Sequence, residues 1–123
     1  MLQLLHIENI AIIECADIEF RPGFNALTGE TGAGKSIVID SLSAVLGQRT
    51  SRDLIRTGAD KAYVSACFTG IPPEVGEDLG ITWDEELLLQ REIHADGKNV
   101  CRVGSRPVTV TQLRTLGSRL LNI

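Results

Sequence analysis

The run Gly29-Glu30-Thr31-Gly32-Ala33-Gly34-Lys35-Ser36 limits what this chain can fold into more than any other feature. It has the form Gly-x-x-x-x-Gly-Lys-Ser, a glycine-rich loop whose backbone N–H groups can close on phosphate oxygens. Such a loop belongs between a strand and a helix, and both flanks are readable. Phe24 to Thr28 is a short strand feeding into the loop. From Lys35 to Leu46 the residues Ile37, Val38, Ser41, Leu42 and Val45 recur at helical spacing, and Gly47 stands where a helix C-cap belongs. Gly32, Gly34 and the amides around Lys35 are the candidate cradle, with the positive end of the helix dipole aimed at the phosphates. Lys35 would reach the β- and γ-phosphates as a point charge, and the Ser36 hydroxyl would ligate Mg²⁺.

The flanking elements are mostly β. Leu2 to Ile7 and Ala11 to Phe20 read as strands, the second ended by turn residues at Arg21-Pro22-Gly23. Lys61 to Thr69 alternates cleanly, with Ala62, Val64, Ala66 and Phe68 on one face. Ile71-Pro72-Pro73 ends it, and Glu74 to Asp84 reads as a loop with a short helical turn. Leu87 to Ile93 and Asn99 to Val103 form a hairpin around Asp96-Gly97. A tight turn at Gly104-Ser105 follows. Thr109 with Gln112 three residues on is a capping box opening a final helix, Gln112 to Leu120. Leu121-Asn122-Ile123 looks like the start of a strand, so the sequence reads as truncated there.

Composition narrows the classes. With 123 residues, 43% hydrophobic, the chain is one domain or part of one and can bury a core. A net charge of −4 gives no global footprint for nucleic acid. No run approaches the roughly 18 apolar residues of a membrane span, and no secretory leader is visible. Cys15, Cys67 and Cys101 are widely spaced and read as small buried or half-buried residues in a reduced, cytoplasmic setting; zinc ligation is not expected.

Hydrolysis also needs an acidic residue ending an apolar strand and a group that positions water. Asp84-Glu85-Glu86 after Ile81-Thr82-Trp83 reads instead as a solvated acidic turn, and Asp40 sits on the helix itself. The chain therefore reads as half of an ATPase site. Arg49, Arg52 and Arg56 follow the helix; if Ser51 starts a short helix, Arg52 and Arg56 share a face. They form either a solvated face or contacts to the phosphate of nucleotide or DNA. Gln90-Arg91-Glu92 reads as a surface edge.

Small kinases and ABC-type ATPases share this loop, but compact kinases carry it after the first strand, and the GTPase motifs are absent. The expected fold is an α/β P-loop NTPase lobe of ABC/SMC type, with an antiparallel β layer around the strand–loop–helix unit. The runs Leu5 to Glu14 and Phe24 to Ser36 resemble the RecN family of bacterial SMC-like DNA repair ATPases. Leu46-Gly47-Gln48-Arg49, Ile55-Arg56-Thr57-Gly58 and Arg106-Pro107-Val108-Thr109 continue the resemblance, and Gly104-Ser105 departs from an expected Asn-Gly turn. The resemblance implies that residues 1–123 form the N-terminal ATP-binding lobe of a head. A coiled coil and a C-terminal half-head carrying the signature motif and the acidic strand would follow. It further implies ATP-driven engagement with a second head in recombinational repair of double-strand breaks on DNA, in the cytoplasm and at the nucleoid. Asn9 would lie near the nucleotide, and the Arg49–Arg56 segment resembles the arginine-bearing loop of such heads. A stand-alone phosphotransferase and a non-catalytic nucleotide-binding scaffold are the alternatives.

Overall fold

Among the described residues, alternating apolar and polar side chains place six strands in one antiparallel sheet, ordered β2-β1-β3-β4-β5-β6. The strands are β1 (Leu2–Ile10), β2 (Ile13–Glu19), β3 (Lys61–Thr69), β4 (Glu86–His94), β5 (Asn99–Val103) and β6 (Arg106–Val108). The computed structural model describes residues 1–20 and 32–121, and the side chains among them except those of 32–35. The expected turn at Arg21-Pro22-Gly23, the strand Phe24–Thr28, the first residues of the phosphate loop and the end of the chain after Leu121 lie outside the described residues.

Two helices, α1 (Gly32–Val45) and α2 (Val110–Leu120), cover one face of the sheet. The register explains how that face stays apolar. Ile7 stands opposite Val64 and Leu5 opposite Ala66, while Ala66 in turn faces Leu89 and Leu89 faces Val103. Leu5, Ile7, Val64, Ala66 and Leu89 have no solvent exposure, and each of the Leu, Ile and Val side chains contributes roughly 1.5–3 kcal/mol relative to exposure. Helix α1 meets them with Val38, Ala44 and Val45, and α2 with Leu113, Leu116 and Leu120. Thr109 accepts from the Gln112 amide at 3.0 Å while Gln112 Oε1 accepts from the Thr109 amide at 2.9 Å, the capping box expected from sequence.

Three expectations need correction. Ala11 and Ile12 are not strand but the turn joining β1 to β2, with Ala11 at φ 54°. Cys15 is exposed on β2, the outermost strand on that side among the described residues, and Cys67 is half-buried; Cys101 is buried as expected. Gln90-Arg91-Glu92 is no surface edge: β4 lies between β3 and β5, and Arg91 is only 3% exposed.

Candidate nucleotide-binding site

The motif Gly29–Ser36 runs into the first turn of α1, whose helical backbone begins at Gly32. The leading N–H groups of any helix lack intrahelical acceptors and point outward along its axis. No acidic residue occupies the first turn of α1, so no side chain of that turn competes with an anion there. Ser36 is exposed. Ser41, fully buried one turn further on, returns its hydroxyl to the Ile37 carbonyl at 2.8 Å and so needs no outside partner.

The opposite end of α1 is fixed by groups that the sequence reading missed. Gly47 takes φ 92°, and its N–H donates to the Ala44 carbonyl at 3.0 Å, the expected C-cap. From β4, Arg91 Nη1 donates to the carbonyls of Ala44 at 2.7 Å and Gln48 at 2.6 Å. Arg91 Nε donates to Asn99 Oδ1 at 3.0 Å. From α2, Arg114 Nε donates to the Gly47 carbonyl at 3.1 Å. Burial draws the Arg91 pKa below its ordinary value; Cys101, its cross-strand partner, opposes that shift and Arg114 adds to it. A signal for Arg91 did exist: it falls in phase with the inward residues Leu87, Leu89 and Ile93.

The remaining candidates are distributed along one edge of this unit. Asn9 adopts φ 56°, and its carbonyl accepts from the Arg56 amide at 2.8 Å. Ile10 bridges Ile55, and the Ala11 amide donates to the Leu54 carbonyl at 2.8 Å, so the arginine segment is laced to the end of β1. Ser51 does cap a helical turn, but only the 3-10 turn Arg52–Leu54, after which Ile55 is extended. Arg52 and Arg56 therefore share no helical face. Arg52 reaches instead toward the Ala95 carbonyl at 3.4 Å, beside the β4–β5 turn. Arg49 lines a cavity of about 400 Å³ with Asp40, Ser43, Thr50 and Asp53 beside α1. The structure thus brings Asn9 and Arg56 together through their backbones, sets Arg49 beside α1 and directs Arg52 away.

The acids Asp84, Glu85 and Glu86 are exposed; the first two lie in the expected turn, whereas Glu86 opens β4 opposite Thr69 and accepts from the Cys67 thiol at 3.4 Å. Trp83 beside them is structural, its indole donating to the Ile71 carbonyl at 3.3 Å. Among the described residues no cluster of three or more His, Cys, Asp or Glu side chains could hold a metal.

The model of an AAA domain family matches residues 4–100. The DNA repair protein RecN of Bacillus subtilis is 42% identical over 131 residues, a match covering 100% of this chain and 22% of that relative. The chain belongs to this AAA domain family. It corresponds to the N-terminal part of RecN and spans 22% of the length of that relative. A structure solved in work on ATP-driven dimerization and DNA-stimulated activation of SMC ATPases superposes with a TM-score of 0.77 at 23% identity, covering 98% of this chain and 79% of that one. The SMC head domain from Thermotoga maritima gives a TM-score of 0.66 at 25% identity, covering 92% of this chain and 40% of that one. These likenesses match the ABC/SMC-type P-loop lobe with an antiparallel β layer that the sequence predicts. Among the described residues no helix is long and apolar enough to cross a membrane.

Proposed function

We propose that residues 1–123 form the N-terminal ATP-binding lobe of an SMC-like ATPase acting in recombinational repair of DNA double-strand breaks. One observation carries the reading: the sequence Gly29–Ser36 leads into a helix whose first turn holds no acidic side chain. In this reading Gly29, Glu30, Thr31, Gly32, Ala33 and Gly34 surround the ATP phosphates with backbone amides. Lys35 would neutralise the β- and γ-phosphates, and Ser36 would hold Mg²⁺, which would supply further charge neutralisation. Arg49, which lines the cavity beside α1, is a nucleotide or DNA contact; Asn9 and Arg56, joined through their backbones at the end of β1, are further candidates, and Arg52 serves a separate surface.

The catalytic half is assigned to other parts of the protein. The C-terminal half-head of the same protein would supply the acidic strand and signature motif, and a second head would complete the composite site. DNA is reached through the full-length protein. Supporting this, RecN relatives are named DNA repair proteins, and one structural neighbour is described by ATP-driven dimerization and DNA-stimulated activation.

The test is ATP titration of the chain with and without Mg²⁺, alongside steady-state turnover. Mg²⁺-dependent binding that Lys35→Ala abolishes is expected, with little hydrolysis. Rapid hydrolysis by this chain alone would overturn the division of the site, and absence of binding would overturn the reading as a whole.

A further inference from the structure

Helix α1 brings no cation of its own to its C-terminal end: its last turn has no basic residue. Two arginines distant in sequence supply it. Arg91 spans the Ala44 and Gln48 carbonyls from the central strand β4, and Arg114 takes the Gly47 carbonyl from α2. The Ala44 carbonyl already accepts from the Gly47 amide, but it and the carbonyls that follow stand at the negative end of the dipole, where guanidinium groups supply the missing positive charge and further donors. The seat is also sterically tight. A Cβ on Gly117 would stand 2.2 Å from the Leu46 carbonyl oxygen, and one on Gly47 would stand 2.4 Å from the Arg114 backbone nitrogen.

We propose that Arg91 and Arg114 are positioning residues for the first turn of α1, holding the Ala44 carbonyl in its last turn and the Gly47 and Gln48 carbonyls just past its end, and thereby fixing where that first turn stands. Its consequence for ligand binding rests on the nucleotide-binding reading above; the mechanical coupling does not. A hydrogen-bonded helix of 14 residues is a rod about 21 Å long at the standard rise. Sliding its anchored end along the axis shifts the leading amides by the same amount. Phosphate contacts are sensitive to such slips, because N–H···O bonds fade beyond about 3.2 Å. Arginine suits the role where lysine does not, since a planar fork reaches several acceptors at once and a lysine ammonium lacks that fixed geometry. Arg114 also makes the placement of α1 depend on that of α2, and Asn99 ties Arg91 to the β4–β5 hairpin.

The experiment compares Arg91→Met, Arg91→Lys and Arg114→Met with the unaltered full chain. Without nucleotide, hydrogen exchange at the amides of Ser36 to Ile39 is expected to quicken about tenfold in Arg91→Met and about threefold in Arg114→Met, the scale of losing charge-assisted hydrogen bonds. Arg91→Lys should fall between Arg91→Met and the unaltered chain. With MgATP, Kd should rise by similar factors, and the ³¹P resonance of the bound β-phosphate should move in position. A purely structural role would quicken exchange only near Val45 to Gln48, and would leave Kd and the ³¹P position unchanged; that result overturns the proposal. Arg114 is exposed, so Arg114→Met keeps the test decisive if Arg91→Met fails to fold. If the unaltered chain binds no ATP, the nucleotide reading falls, while the exchange measurement still decides whether the two ends of α1 are coupled.

Discussion

On the face of the sheet covered by α1 and α2, one guanidinium lies buried among aliphatic side chains and donates to three fixed acceptors. On the opposite face, charges pair with one another beside water. His6 sits between Asp17 at 2.5 Å and Glu8 at 2.6 Å, and Glu92 gathers His94, Lys61 and Arg102 within 3.0–3.8 Å. Both arrangements satisfy their polar groups, and among the described residues no buried side-chain N or O atom lacks a partner. They differ in what happens when a member is removed. Solvent can replace a lost partner on the open face, and at the exposed Gln48, whereas the buried Ala44 carbonyl would lose a donor where water has little access.

The largest expected effect is therefore Arg91→Met, about 3 kcal/mol of unfolding free energy in urea titration. Its comparator, Glu92→Gln, should cost about 1 kcal/mol or less. Equal losses for the two would erase the contrast between the faces. Gly117→Ala comes next, at about 1–3 kcal/mol, because the added methyl meets the Leu46 carbonyl backbone rather than a yielding side chain. A thermal melt indistinguishable from the unaltered chain would show that α2 can draw back from α1 freely. Thr109→Ala removes one half of the capping box and should cost about 1 kcal/mol.

The smallest effect sharpens the outer face. Hydrogen bonds that the imidazole donates to Glu8, then to Asp17, raise the His6 pKa above 6.5. A histidine favoured as the cation in the folded chain stabilises it fully below its unfolded pKa and loses that contribution as pH rises through the folded value. Stability should therefore decline as pH climbs from about 6.5 through the raised value, by less than about 1 kcal/mol given solvent screening. His6→Gln should flatten that slope in urea titrations; an unchanged slope would assign it to another group.

How much was legible in the sequence follows from how local each feature is. The bounds of β3, the turn at Asp96-Gly97, the C-cap at Gly47 and the Thr109–Gln112 box rest on neighbours within a few residues, and the structure has them as read. The phosphate-loop motif is contiguous and needs no tertiary knowledge to be noticed. Arg91 was misread because charge outweighed phase. Its alternation with Leu89 and Ile93 pointed inward, but its acceptors lie on a helix whose packing no single segment specifies. The face assigned to Arg52 and Arg56 failed for a similar reason. Ser51 starts a turn, yet Ile55 is pulled into extended geometry by its bridge to Ile10. Cys15 is exposed on β2, which among the described residues has a neighbour on one side only, a fact of sheet order rather than of residue type.

The pairing of β1 with β3 carries a consequence for how the chain reaches this fold. Hairpins β1–β2, β3–β4 and β4–β5 join strands close in sequence, but β1 meets β3 only after the long connection holding α1 has been closed. Closing a loop grows costlier only logarithmically, about 0.6 kcal/mol per doubling of length, so that connection can gain residues at little thermodynamic penalty. The seam itself has no such latitude. Slipping β1 by one residue against β3 would turn Leu5 and Ile7 to water and His6 into the core. The excursion can vary in length, while the two strands that bracket it must keep their register.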